Sequence, residues 1–162
     1  MNNKKDTILN AAKALTENYK KDELFMPKNG RSLPNRAAVI DLVKDLRSVI
    51  FPGYFCADTA AGIFPEQFST YCLNEYYDRL KEQVEIALLY ARPEMRQEEA
   101  AEMSESICIH FIERLPEVQQ KLLKDVQAGF DGDPAAKSNE EIIFSYPGVF
   151  AIYVYRLAHI LY

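Results

Sequence analysis

Apolar residues in this chain recur at three- and four-residue spacing almost from end to end, and strand-like alternation is nearly missing. That spacing lines one face of an α-helix, whereas a half-buried strand needs an apolar residue at every second position. Ile8, Ala11, Ala12, Leu15 and Tyr19 mark a first helix over residues 4–24, which Pro27, Asn29 and Gly30 end. Ser32-Leu33-Pro34 starts a second, with the proline in a first turn that has no hydrogen bond to lose. Val39, Ile40, Leu42, Val43, Leu46, Val49 and Ile50 form its stripe, and Phe51-Pro52-Gly53-Tyr54-Phe55 breaks it into an aromatic turn. Asp58-Thr59 can cap a short helical turn ahead of Pro65. Pro65 opens a long helix over 65–91 that carries Phe68, Tyr71, Cys72, Tyr76, Leu80, Val84, Ala87 and Leu88 on one face.

Arg92-Pro93 closes that helix, and the next runs over about 97–114 with Ala100, Met103, Ile107, Ile109 and Phe111. Pro116 starts another, which turns Val118, Leu122, Leu123, Val126 and Phe130 inward and ends at Gly129 and Gly132. Ser138-Asn139-Glu140-Glu141 is a capping-box pattern opening a short helix over 138–144. Pro147-Gly148 then resets the direction for a final helix. The expected fold is all-α: one domain, a multi-helix bundle of antiparallel helices joined by short turns. The final helix is apolar on every side, and after His159 no Gly or Asn caps it and no Pro follows. Such a helix needs a partner to cover it. The chain therefore reads as cut at a domain boundary, with the cover missing or supplied by another subunit.

At 162 residues, 48% apolar and 27% charged, the chain has the make-up of an ordinary globular domain. Its net charge of −5 and scattered basic residues argue against nucleic-acid binding, which depends on a cationic footprint. The polar start is not a secretory signal, and no apolar run is long enough to span a bilayer. Cys56, Cys72 and Cys108 are far apart and odd in number, which reads as reduced cysteines filling the core of a cytoplasmic protein.

The usual chemical motifs fail in turn. No Gly-x-Gly-x-x-Gly, phosphate loop, His-Glu-x-x-His or Gly-x-Ser-x-Gly occurs. Glu98, Glu99, Glu102 and Glu105 read as a solvated helix face. Glu105 stands five residues before His110, the wrong spacing for the Glu-x-x-His of di-metal bundles. Neither a catalytic residue nor a cofactor or metal site is expected here. His110, between Ile109 and Phe111, reads as a core or interface histidine. Tyr153, Arg156 and His159 recur every three residues and share one stripe, either a polar seam facing a ligand or a buried hydrogen-bonded network. Asp131-Gly132-Asp133-Pro134 offers two carboxylates at a turn, which could bind an ammonium or hydroxyl group, although these are also simply good turn residues.

Together the motifs resemble the N-terminal helical domain of serine O-acetyltransferases. The likeness runs through Leu33-Pro34-Asn35-Arg36, then Asp45-Leu46-Arg47 leading to Phe51-Pro52-Gly53-Tyr54-Phe55. It continues in Leu115-Pro116, Asp125-Val126-Gln127-Ala128 and Asp131-Gly132-Asp133-Pro134-Ala135-Ala136. Most specific are Ser145-Tyr146-Pro147-Gly148 and Tyr155-Arg156-Leu157-Ala158-His159-Ile160-Leu161-Tyr162. The resemblance implies transfer of an acetyl group from acetyl-CoA, a co-substrate, to the hydroxyl of L-serine in cysteine synthesis. It places catalysis in a left-handed β-helix of hexapeptide repeats that would follow this domain, with the catalytic histidine and acetyl-CoA site there, and this sequence contains no such repeats. One residue carries over: Asp133 matches an aspartate that contacts the serine substrate. His159 matches a helix histidine that is structural. The resemblance further implies homo-oligomers, trimers paired into hexamers, and association with O-acetylserine sulfhydrylase through the portion that follows. The rival reading is a freestanding helical interaction module without enzymatic activity.

Overall fold

The computed structural model describes residues 3–21, 32–55 and 65–162, and within these it contains six helices and no strand. They are α1 (Lys4–Lys21), α2 (Arg36–Ile50), α3 (Pro65–Ala91), α4 (Gln97–Gly132), α5 (Asn139–Ser145) and α6 (Pro147–Leu161). The expected all-α bundle is what the described residues form. The stop at Pro27, Asn29 and Gly30, the Asp58-Thr59 cap and Cys56 lie outside the described residues.

Cross-helix contacts give the directions. Asn35 N–H donates to Gln83 Oε1 and Arg79 pairs with Asp45, so α3 runs back along α2. Lys81 pairs with Glu105 while Tyr76 stacks on Phe111, so α4 runs back along α3. The connection between α3 and α4 is short, closed by Arg92 N–H on Leu88 O and Met95 N–H on Arg92 O, with Met95 buried. α5 and α6 then pack on the far part of α4.

The core is continuous. Leu42, Leu46 and Ile50 of α2 meet Tyr76 and Leu80 of α3. Cys108, Phe111, Leu115, Val118, Leu122 and Val126 of α4 join them, and Val149, Tyr153 and Leu157 of α6 complete the cluster. Fully burying a side chain of this kind contributes roughly 1.5–3 kcal/mol. Periodicity placed most of these positions, but Tyr71, Ile109 and Leu123 face solvent instead of the core.

Two helix boundaries differ from expectation. Pro34 does not open α2; Asn35 caps it, its Oδ1 accepting from the N–H groups of Ala37 and Ala38. A side-chain acceptor beats a proline here because it satisfies two of the unpaired first-turn donors. Pro116 does not start a helix either, since α4 runs unbroken for 36 residues with Pro116 inside it. A proline inside a helix costs about 3 kcal/mol. The buried stripe Phe111, Leu115, Val118 and Leu122 continues across it at helical spacing, and its burial outweighs that loss.

α1 has the expected amphipathic spacing, yet none of its residues is buried, and Ile8, Leu9 and Leu15 are exposed. The aromatic corner after α2 turns at Gly53, whose φ of 89° favours glycine.

Candidate functional site

The chain leaves α4 at Gly132 and enters a turn at Asp133, whose extended backbone stops the helix. Pro134 cannot continue a helix and presets the bend. The Asp133 carbonyl accepts from Ala136 N–H at 3.0 Å, and its Oδ1 accepts from Ala135 N–H at 2.9 Å. The aspartate thus stabilises the turn it sits in. Its other oxygen, Oδ2, accepts from the Tyr146 hydroxyl at 2.6 Å.

Tyr146 stands at the corner between α5 and α6. Its backbone N–H closes α5 on Ile142 O, and its carbonyl accepts from Val149 and Phe150 at the start of α6. Ser138 caps α5 with Oγ accepting from Glu141 N–H. Of the expected capping box only this half forms, because the Glu141 carboxylate accepts from Lys137 N–H, one residue earlier than the cap. α5 packs on α4 through buried Ile142, beside Gly129, where an added Cβ would make an ordinary 3.4 Å contact with Ile142 Cγ2. The Ser138 cap and the burial of Ile142 bring the tyrosine back over the turn.

The pair has a defined charge state. The Tyr146 hydroxyl, then the Ala135 N–H, hold the Asp133 carboxyl below its ordinary range. Bonding to that carboxylate pushes the Tyr146 phenol up to about 12. Near neutral pH the aspartate is therefore an anion and the tyrosine a proton donor. Since the folded-state value of Asp133 is depressed, these bonds stabilise the fold above the ordinary aspartate range, and their contribution is lost as pH falls through the depressed value. Asp133 is half-buried, and each of its oxygens accepts one bond while having room for another acceptor contact. The neighbouring Asp131 is tied to Gln127 along the helix and does not join the pair.

The Tyr153, Arg156 and His159 stripe divides. Tyr153 is 1% exposed and donates to Val43 O at 2.7 Å, which pins α6 to α2. Arg156 makes a two-bonded pair with Asp125, at 2.6 and 2.7 Å, which pins α6 to α4. His159 is exposed and stacks on Tyr155 at 5.8 Å. Two of the three are thus structural ties and His159 belongs to neither. His110 is likewise not a core residue; it is exposed, on a groove with Glu102, Glu105, Ile109 and Glu113. Glu98, Glu99, Glu102 and Glu105 form the expected solvated face. Cys108 fills the core, where burial raises its thiol to about 11 and keeps it protonated.

Sequence reasoning singled out Asp133 but missed Tyr146 as its partner. The only available signal was a tyrosine beside a Pro-Gly corner, one short helix beyond the aspartate. Arg47, named in the Asp45-Leu46-Arg47 motif, serves as a packing tie: its guanidinium lies 3.7 Å from the centre of the Phe55 ring and donates to Ile143 O. A cavity of about 450 Å3 between α2 and α3 is lined by Lys44, Arg47, Cys72, Tyr76 and Arg79, and Asp133 is not on its wall.

No protein-family model matches the chain. A protein of Synechococcus elongatus named "Serine acetyltransferase, plasmid" is 35% identical over 139 residues, which is 80% of this chain and 42% of that protein. Serine acetyltransferases of Bacillus licheniformis and Bacillus subtilis are 54% identical over 43 residues and 49% over 41, each about a quarter of this chain and a fifth of their own length. The resemblance to serine acetyltransferases carried by the motifs is thus found in comparison over 80% of the chain as well. The chain spans less than half the length of the curated relatives it matches.

Proposed function

We propose that this chain is the N-terminal helical domain, residues 1–162, of a serine O-acetyltransferase, and that it lends Asp133 to the serine site. The observation that carries this reading is the joint one: similarity to proteins of that name over most of the chain, and an aspartate held ionised at the α4–α5 turn. The reaction moves an acetyl group from acetyl-CoA to the serine hydroxyl, giving O-acetyl-L-serine and CoA. A base must take the hydroxyl proton as the oxygen attacks. Neither histidine matches the catalytic histidine that the resemblance implies: His159 falls in the Tyr-Arg-x-x-His motif and His110 lies on the exposed face of α4 with Glu102, Glu105 and Glu113. Asp133 suits another. An anionic oxygen in a rigid turn binds the serine ammonium and fixes the amino acid while the base, in a following β-helix, acts on the hydroxyl.

The second role of the domain is subunit assembly, in trimers or hexamers. Exposed apolar residues support it: Ile8, Leu9 and Leu15 on α1, and Phe150, Ile152, Tyr155 and Leu161 on α6. Contact with the sulfhydrylase that uses the product belongs to the portion beyond this domain.

Reading the coding sequence past Tyr162 tests the assignment. The expected result is a run of hexapeptide repeats with Leu, Ile or Val at every sixth position. A natural stop directly after Tyr162 would sink it and leave the freestanding interaction module as the better reading.

A further inference from the structure

We infer that Tyr146 is a positioning residue for the serine site: its hydroxyl sets the orientation in which Asp133 meets the substrate ammonium. The inference rests on the reading of Asp133 as a serine contact.

The terminal torsion of an aspartate is broad, so one bond from Ala135 N–H to Oδ1 leaves the carboxylate free to swing about its own axis. The Tyr146 hydroxyl removes that freedom by gripping the second oxygen at 2.6 Å. With both oxygens held by different elements, the remaining lone pairs point in fixed directions. The tyrosine is itself well placed to hold still. Its backbone ends α5 and starts α6, and α6 is anchored below it by the Tyr153 bond to Val43 and the Arg156 pair with Asp125. The phenol bridges the α6 corner and the Asp133 turn, so rigidity in the bundle is passed to the carboxylate. The helix-capping contacts of Tyr146 are made by its backbone. Removing the hydroxyl therefore takes away the grip on Asp133 and leaves the corner intact.

The charge balance fits the task. Tyr146 donates and the aspartate remains an anion, so the pair keeps its negative charge for an ammonium partner. An asparagine or a protonated acid in place of Asp133 would not. The grip also makes an ordered carboxylate available before substrate arrives, so the cost of orienting it is not taken from binding.

The test is Tyr146→Phe, Asp133→Asn and the double variant in the full-length protein, with steady-state rates measured against L-serine and against acetyl-CoA. Thermal melting of each variant checks that it is folded. Tyr146→Phe is expected to raise KM for L-serine about tenfold, with kcat and KM for acetyl-CoA unchanged. In the double variant, adding Tyr146→Phe to Asp133→Asn is expected to change nothing further, because a positioning residue has no effect once its client is gone. If Asp133→Asn raises KM for L-serine and Tyr146→Phe does not, the inference is overturned while the reading of Asp133 stands. Full additivity in the double variant also overturns it, since Tyr146 would then act independently. If Asp133→Asn itself has no effect on KM for L-serine, the reading fails and the inference falls with it.

Discussion

Phe111→Ala is expected to cost the fold about 3–5 kcal/mol. Phe111 is 1% exposed, at the middle of the α4 stripe, and its ring stacks on Tyr76 of α3 at 5.9 Å. Deleting the ring removes transfer energy and leaves a cavity between α3 and α4, lined by Tyr76 and the neighbouring core residues. A domain of this size has about 5–15 kcal/mol in total, so the variant loses a large part of its stability. Urea unfolding followed by circular dichroism measures it. Ile109→Ala is the control on the same helix, since that side chain is 46% exposed and is expected to shift stability by about 0.5 kcal/mol or less. Equal effects from the two variants would contradict the packing described.

Asp133→Asn is expected to lower kcat/KM for L-serine about a hundredfold in the full-length protein. The amide keeps the size of the carboxylate and can keep the bond from Ala135 N–H. What it loses is the negative charge that an ammonium group needs, and it presents a donor where the substrate brings donors. The loss is expected in KM for L-serine, with KM for acetyl-CoA unchanged. Melting is expected to stay close to that of the unsubstituted protein, because Asp133 is half-buried at the edge of the bundle and not in its core. A variant that binds L-serine normally would remove Asp133 from the site.

Local patterns made most of the fold legible. The stripe Leu42, Leu46 and Ile50 of α2, and Val118, Leu122 and Val126 of α4, are visible as spacing alone, because helix burial repeats with the helix turn; earlier in α4, Ser104 and Cys108 are buried where spacing pointed to Met103 and Ile107. Pro116 was misleading for the same reason that it is usually informative. Its local cost is real, but burial on both sides of it is a sum over many residues. Ile109 and His110 show a related failure: a run of apolar neighbours does not say which of them faces inward, and here Cys108 and Phe111 took the core. The candidate site was half legible. The turn chemistry of Asp131-Gly132-Asp133-Pro134 is local but does not separate its two aspartates; the resemblance to serine O-acetyltransferases singled out Asp133. Tyr146, the hydroxyl that grips it, and Asp125, the partner of Arg156, are reached only by folding α5 and α6 back over α4. Spacing along one helix grouped Tyr153, Arg156 and His159, but Tyr153 ties to α2, Arg156 ties to α4, and His159 stays exposed against Tyr155 of its own helix.

The most direct measurement is CoA release from acetyl-CoA in the presence of L-serine, run side by side on the full-length gene product and on the 162-residue chain. Serine-dependent release by the full-length product and none by the chain alone is the expected result. Turnover by the chain alone would place catalysis within these helices, and no release by the full-length product would remove it from this enzyme class.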